Sequence, residues 1–179
     1  MITKDTFQIS LNLGVNMDYT IRTMEKEDYD EVYKLWSTIH GFAMRSIDDS
    51  KEGVERMLDR NPHLSVVAVA DNKIVGTILV GHDGRHACFY HVCVHEDYRK
   101  KGIGRAMALE AMVRLKAEGI TKIQLVAFTE NELGNSFWKS EQWKARTDLN
   151  VYDFVLVIKI CHEHYFKEII VFQKLVVFV

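Results

Sequence analysis

Proline is almost absent from this chain: one residue, Pro62, in 179. With no Pro/Gly/Ser-rich stretch to act as a linker, nothing marks a second domain. Cysteine is scarce and odd in number, with only Cys88, Cys93 and Cys161. Three cysteines do not make a disulfide framework, so the expected setting is reducing and cytoplasmic. An excess of charge is also lacking: 23 Lys+Arg stand against 25 Asp+Glu, a formal net charge of -2. That excludes the basic footprint of a nucleic-acid binder. No run approaches the ~20 apolar residues of a membrane span. The first residues lack the apolar core of a signal peptide, so neither a membrane nor a nucleic-acid partner is expected. What is present is an ordinary globular composition, 47% hydrophobic and 27% charged, in a chain long enough to bury a core.

The patterning alternates between strand and helix text. Tyr19–Thr23 alternates and is rich in β-formers, which predicts a strand. Glu25 to Ile39 carries Tyr29, Val32, Tyr33, Leu35 and Trp36 at helical spacing, with Thr23 and the following acidic residues as a start signal. A second helix is predicted to begin near Asp48 to Ser50, to bury Val54, Met57 and Leu58, and to stop at Asn61-Pro62. Strands are then expected over Leu64–Ala70, Lys73–Val80 and Ala87–Val94, separated by Asp71-Asn72 and by Asp83-Gly84, a strong hairpin signal. Gly76 inside the second of these predicts a bulge or a close backbone approach. A helix from about Gly102 to Glu118 follows, with Gly119 as its C-cap. Ile123–Phe128 reads as a strand, Asn131–Ser140 as a short helix and Val151–Ile158 as a last strand. A strand–helix–strand unit over residues 87–128 needs a parallel pair, while the hairpins need antiparallel pairs. The fold class is therefore α/β: a mixed, mostly antiparallel twisted sheet with helices on both faces.

Chemistry concentrates in Tyr98-Arg99-Lys100-Lys101-Gly102-Ile103-Gly104-Arg105-Ala106, which follows a strand and opens a helix. A helix start leaves backbone N–H groups unpaired and carries partial positive charge. Two glycines allow close backbone approach to an anion, and the four cationic side chains match a pyrophosphate or a 3'-phosphate. Rival phosphate motifs fit less well. A dinucleotide fingerprint wants Gly or Ala where Met107 stands, and the Gly-Lys-Ser/Thr of a P-loop is missing.

Val92-Cys93-Val94 before this loop, and Asn131-x-x-Gly134-x-x-Phe137-Trp138 with Gln142-Trp143 after the next strand, complete a larger pattern. From about Tyr19 to Val157 the chain resembles the GNAT superfamily of acyl-CoA-dependent N-acyltransferases, and within it the small bacterial stand-alone type. The resemblance implies acetyl-CoA as co-substrate and direct attack of a primary amine, of a small molecule or a peptide, on its thioester. It implies that Val92, Cys93 and Val94 line the pantetheine arm like an added strand. It places the pyrophosphate on Arg99, Lys100, Lys101, Gly102, Ile103, Gly104, Arg105 and Ala106, and puts Asn131, Asn135 and Trp138 along the same groove. The backbone N–H of Val94 would stabilise the oxyanion.

Many members of the superfamily carry a thiol-protonating tyrosine where this chain has Trp138, and an indole N–H is no substitute acid. Proton transfer then falls to Tyr90 or to water. As base, His91 comes first, since it titrates in the useful range on the strand nearest the thioester, followed by Tyr90 and Glu96. The Trp138 departure also supports a second reading, an acyl-CoA-binding regulatory or sensor module with little turnover.

No metal site is expected. His82-x-x-x-His86 and His91-x-x-x-His95 lie in strand or loop text, Arg99 stands where a His-Glu-x-x-His motif needs its second histidine, and Cys161-His162-Glu163-His164 has no partner cluster. The expected organisation is an extension over residues 1–17, the transferase domain over 18–157, and an apolar tail over 158–179. The tail must be covered, either on its own domain or in a homodimer contact.

Overall fold

A computed structural model describes residues 18–39, 44–45, 47–152 and 154 of the chain. The predicted extension, the apolar tail and most of the strand expected at Val151–Ile158 lie outside the described residues. Residues 1–148 and 149–179 form separate contact units. In the second, the described residues 149–152 and 154 carry no regular element.

The first unit is an open five-stranded sheet in the order β1-β2-β3-β4-β5. Its strands are β1 (Tyr19–Thr23), β2 (Val66–Ala70), β3 (Lys73–His82), β4 (Ala87–Val94) and β5 (Ile123–Leu125). The pairs from β1 to β4 are antiparallel and β4–β5 is parallel, as the mixed-sheet expectation requires. The helices are α1 (Tyr29–Thr38), α2 (Lys51–Arg60), α3 (Ile103–Ala117) and α4 (Glu132–Ser140). Among the described residues no helix is long and apolar enough to cross a membrane.

Each face of the sheet has its own core. On one, Val66, Ala68, Val75, Ile78, Val80, Ala87 and Phe89 pack with Ile103, Met107, Ala111 and Leu115 of α3. Those four recur every fourth residue, which lays them along one stripe of the helix. On the other face, Val67, Ile74, Leu79 and Cys93 meet Val32, Leu35 and Trp36 of α1 and Val54 and Leu58 of α2. Full burial of each large side chain contributes about 1.5–3 kcal/mol.

Local chemistry sets the ends. Ser50 caps α2 by accepting from Gly53 N–H at 3.1 Å. Gly119, at φ 79, closes α3: its N–H bonds Lys116 O, and Ile120 N–H bonds Leu115 O, both at 3.0 Å. Asp71 and Asn72 both take positive φ, 51 and 58, in the two-residue β2–β3 turn.

Three features depart from regular patterning. The first turn of the expected Glu25–Ile39 helix is a separate 3₁₀ turn, Lys26–Asp28. Strand β5 ends at Leu125 rather than Phe128, because β4 no longer pairs with it, and Val126 and Phe128 are exposed. The β2–β3 register slips between Ala68 and Val69. Gly76 sits beside this slip, where an added Cβ would lie 2.8 Å from the Met107 methyl and 3.1 Å from Cys93 O.

Candidate active site

The parallel pair holds only where Ala87–Phe89 meet Ile123–Leu125. Beyond Phe89 the strands part, and a groove of about 660 Å³ opens at their C-terminal ends. It is lined by Thr38 and Ile39 at the end of α1, by His95, Glu96 and Arg99 after β4, and by Phe128, Glu130, Asn131, Glu132 and Leu133 after β5. His95 N–H bonds Val75 O at 2.8 Å. By the alternation of an antiparallel ladder, the backbone groups of Val92 and Val94 then point away from β3, toward the gap that β5 leaves. Arg99 Nε–H donates to Val94 O at 2.9 Å.

The predicted anion loop runs into this groove. Lys100 (φ 59) and Gly102 (φ 81) are both left-handed, which wraps the backbone around the start of α3. The first helical bond is Ala106 N–H to Gly102 O, 2.9 Å, so the amides of Ile103, Gly104 and Arg105 lie at the open N-terminal end. At Gly104 an added Cβ would lie 3.4 Å from Phe137 Cζ and 3.7 Å from Val94 Cγ2, so the missing side chain leaves room between α4 and β4. Lys100 is exposed. Lys101 Nζ donates to Asp97 O at 2.7 Å and lies 5.2 Å from the Tyr98 ring centroid. Arg105 pairs with Glu141 at 3.4 Å. Tyr98 O–H bonds Asp71 at 2.9 Å, tying the loop to the β2–β3 turn. Three amides, the positive end of a 15-residue helix and a glycine-opened floor suit a diphosphate.

On the far wall, Asn131 Oδ1 accepts from Gly134 N–H at 2.9 Å and so caps α4 at the groove. Asn135 donates from Nδ2 to Phe128 O at 2.9 Å and to Thr129 O at 3.3 Å, holding the β5–α4 loop. Trp138 lies in an aromatic cluster, its ring centroid 4.9 Å from Phe137, 4.7 Å from Trp143 and 6.4 Å from Phe89. Tyr90 is half exposed. Partial burial, then the neighbouring Cys88, pushes its hydroxyl up to about 12, so it stays a phenol near neutrality and can donate. Burial pushes the Cys93 thiol up to about 11, which makes it an inert packing group. The Asp83-Gly84 hairpin lies at the opposite end of β4 from the anion loop. Among the described residues no cluster of three or more His, Cys, Asp or Glu could hold a metal. Cys161–His164 lies outside them.

His91 occupies the most unusual backbone position of the site. Thr77 pairs with Cys93 and Leu79 with Tyr90, so Ile78 alone faces both His91 and Val92, a β-bulge. His91 takes φ 46 there, a left-handed value that a non-glycine residue holds only when its surroundings enforce it. They do so on two sides. Thr77, fully buried, accepts from Trp36 Nε1–H at 2.9 Å and donates to His91 O at 2.9 Å. The ring lies 4.6 Å from that of Trp36, and Nε2 is 2.6 Å from Asp49 Oδ1. Burial alone would raise the Asp49 carboxyl. The His91 hydrogen bond, the Arg45 amide and the nearby positive charge outweigh it and hold the group below its usual range. Sequence reading took Asp48 to Ser50 only as a helix start and missed Asp49. The signal was an extra Asp beyond what the Ser50 cap uses.

A mixed sheet whose one parallel pair splits beside an open helix N-terminus defines an acyl-CoA transferase class of fold. The family model for GNAT acetyltransferases matches residues 24–140. An acetyltransferase of Sodalis glossinidius is 32% identical over 124 residues, 69% of this chain and 86% of the relative. The chain belongs to the GNAT family and is an N-acetyltransferase. Two solved structures share the fold. One is an acetyltransferase from Clostridium acetobutylicum with acetyl-CoA (TM-score 0.61, 17% identity, 76% of this chain and 96% of that one). The other is the PaiA N-acetyltransferase from Thermoplasma acidophilum in complex with coenzyme A (TM-score 0.56, 24% identity, 70% and 89%).

Proposed function

We propose that this chain holds acetyl-CoA in the groove between β4 and α4 and passes its acetyl group directly to a primary amine of a small molecule or a peptide. The observation that carries this reading is the parting of β4 from β5 beside the Ile103, Gly104 and Arg105 amides. Those amides, with Lys100 and Lys101 close by, take the diphosphate. The Val92 and Val94 backbone takes the pantetheine, with Cys93 between them, and Asn131, Asn135 and Trp138 form the wall beyond.

An alkyl ammonium, with a solution pKa of ~10.4, must first lose its proton. His91 is the base that accepts it. The amine nitrogen then attacks the acetyl carbonyl, whose oxyanion is met by Val94 N–H. The C–S bond breaks, the nitrogen sheds its second proton as the amide forms, and a proton taken up by the departing sulfur leaves CoA as the thiol. Tyr90, kept as a phenol, is the protein group on β4 that can donate a proton there. Release of CoA thiol, followed with acetyl-CoA and a panel of amines, tests the reading. The panel covers a polyamine, an aminoglycoside, a lysine peptide and a peptide with a free α-amine. At least one acceptor should raise release well above the acceptor-free rate. Binding of acetyl-CoA with no acceptor-dependent release from any of them would instead support a sensor module.

A further inference from the structure

We propose that Asp49 is a positioning residue for His91: its carboxylate grips Nε2 and so sets the tautomer and ring orientation in which Nδ1 receives the amine proton. The proposal rests on the reading of His91 as the base.

The grip is close and built from several directions. Nε2 and Asp49 Oδ1 are 2.6 Å apart, with the His91 and Asp49 side chains only 12% and 8% exposed. The other carboxylate oxygen accepts Arg45 N–H at 2.5 Å. Asp49 is anchored through its backbone as well: its N–H bonds Arg45 O at 2.9 Å, and its carbonyl accepts Tyr29 O–H at 2.8 Å. The carboxylate therefore cannot swing away from His91 without giving up the Arg45 amide, and the Tyr29 hydroxyl fixes the backbone that carries it. The histidine is equally constrained, by the Trp36 ring at 4.6 Å and by Thr77 on its carbonyl.

An ionised carboxylate only accepts hydrogen bonds. Facing one at 2.6 Å, Nε2 carries a proton, and in the neutral ring the lone pair falls on Nδ1. The same logic lets a buried Asp orient the base histidine of a hydrolase triad. A tie serving packing alone would have little need of an ionised carboxylate, since an apolar pair of similar volume does as well or better. The bulge adds position. His91 is the extra residue of β4, next to Val92, where the strand turns its backbone groups toward the groove.

Two measurements test this. In ¹⁵N-histidine-labelled wild-type protein, with the His91 signals identified by their loss in His91→Ala, the neutral ring should be the Nε2–H tautomer. Kinetics use the panel amine that gives the fastest thiol release. His91→Ala should lower kcat about 10²-fold or more, the usual worth of a general base. Asp49→Asn should lower kcat at least about 10-fold and leave the acetyl-CoA KM within about 2-fold, and the double variant should be no slower than His91→Ala. An Nδ1–H tautomer in the wild type overturns the proposal, even if Asp49→Asn does not fold. An Asp49→Asn enzyme as fast as wild type, beside a slow His91→Ala, also overturns it but leaves His91 as base. A His91→Ala enzyme at wild-type turnover removes the base reading itself, and the role of Asp49 with it.

Discussion

Thr77→Val is the most direct probe of how the β4 bulge is held. The substitution keeps the shape of the side chain and removes only the hydroxyl. That hydroxyl is fully buried, accepts Trp36 Nε1–H and donates to His91 O, each at 2.9 Å. Valine thus takes the acceptor from the buried Trp36 Nε1–H and one hydrogen bond from the part-buried His91 O. An orphaned buried donor costs about 1–3 kcal/mol and a lost hydrogen bond about 0.5–1.5 kcal/mol. The extra apolar surface returns about 1 kcal/mol at most, so the mid-range net loss is about 2 kcal/mol. With an m-value of about 2 kcal/mol per molar urea, the midpoint of unfolding should fall by about 1 M. Thr77→Ser is the matched control. It keeps both hydrogen bonds, loses one methyl, and should cost about 1 kcal/mol, or roughly 0.5 M. Urea titrations of the three proteins, followed by tryptophan fluorescence, compare them directly. A valine variant as stable as the serine variant would refute the reasoning, because the hydroxyl would then contribute nothing beyond its volume.

Two further outcomes are expected. Gly104→Ala should split stability from binding: alanine in the first turn of α3 gains about 0.5–1 kcal/mol of helix preference, and its Cβ meets Phe137 and Val94 at ordinary contact distances. The melting temperature should hold or rise, while the acetyl-CoA dissociation constant from calorimetry should increase several-fold; unchanged binding would remove the groove floor from the cofactor site. On the acid side, burial would raise Asp28 and Asp49, but the Arg22 and His91 hydrogen bonds and the amides of Glu25 and Arg45 hold both below the usual carboxyl value. Groups depressed on folding stabilise fully above the unfolded value of about 3.9 and lose that contribution as pH falls through the folded value. The wild-type urea midpoint should drop below about pH 4. An Asp28→Asn/Asp49→Asn protein should start lower at pH 7 and lose less on acidification, and an acid slope equal to the wild type's would contradict the assignment.

Much of this architecture was legible in the text of the chain. Helix α3 and its loop announce themselves because Gly102 and Gly104 flank Ile103, the first of an apolar series that continues through Met107, Ala111 and Leu115. Gly76 signalled the close approach that Met107 makes. The bulge was not legible. Tyr90-His91-Val92-Cys93-Val94 is an unbroken run of strand-forming text, and the residue that turns left-handed is a histidine rather than a glycine. Its cause lies in Thr77, Trp36 and Asp49, which are remote in sequence and meet only in the folded core. The early end of β5 was hidden for a related reason. Val126 and Phe128 are apolar enough for a strand, but a strand also needs a partner, and β4 has already moved away. Asp49 looked like part of a cap because burial of a carboxylate leaves no trace in its neighbours.

The extra residue in β4 also makes the strand's facing a matter of parity. Ala87 and Phe89 lie on the α3 side, and so do Val92 and Val94, while Cys93 faces α1 and α2. Odd numbers face α3 before His91, and even numbers face it afterwards. The bulge takes up the one extra residue, so removing it would restore plain alternation with Val92 and Val94 still on the α3 side. What such a deletion would erase is the left-handed position itself, and with it the histidine that the strand holds out of its own alternation.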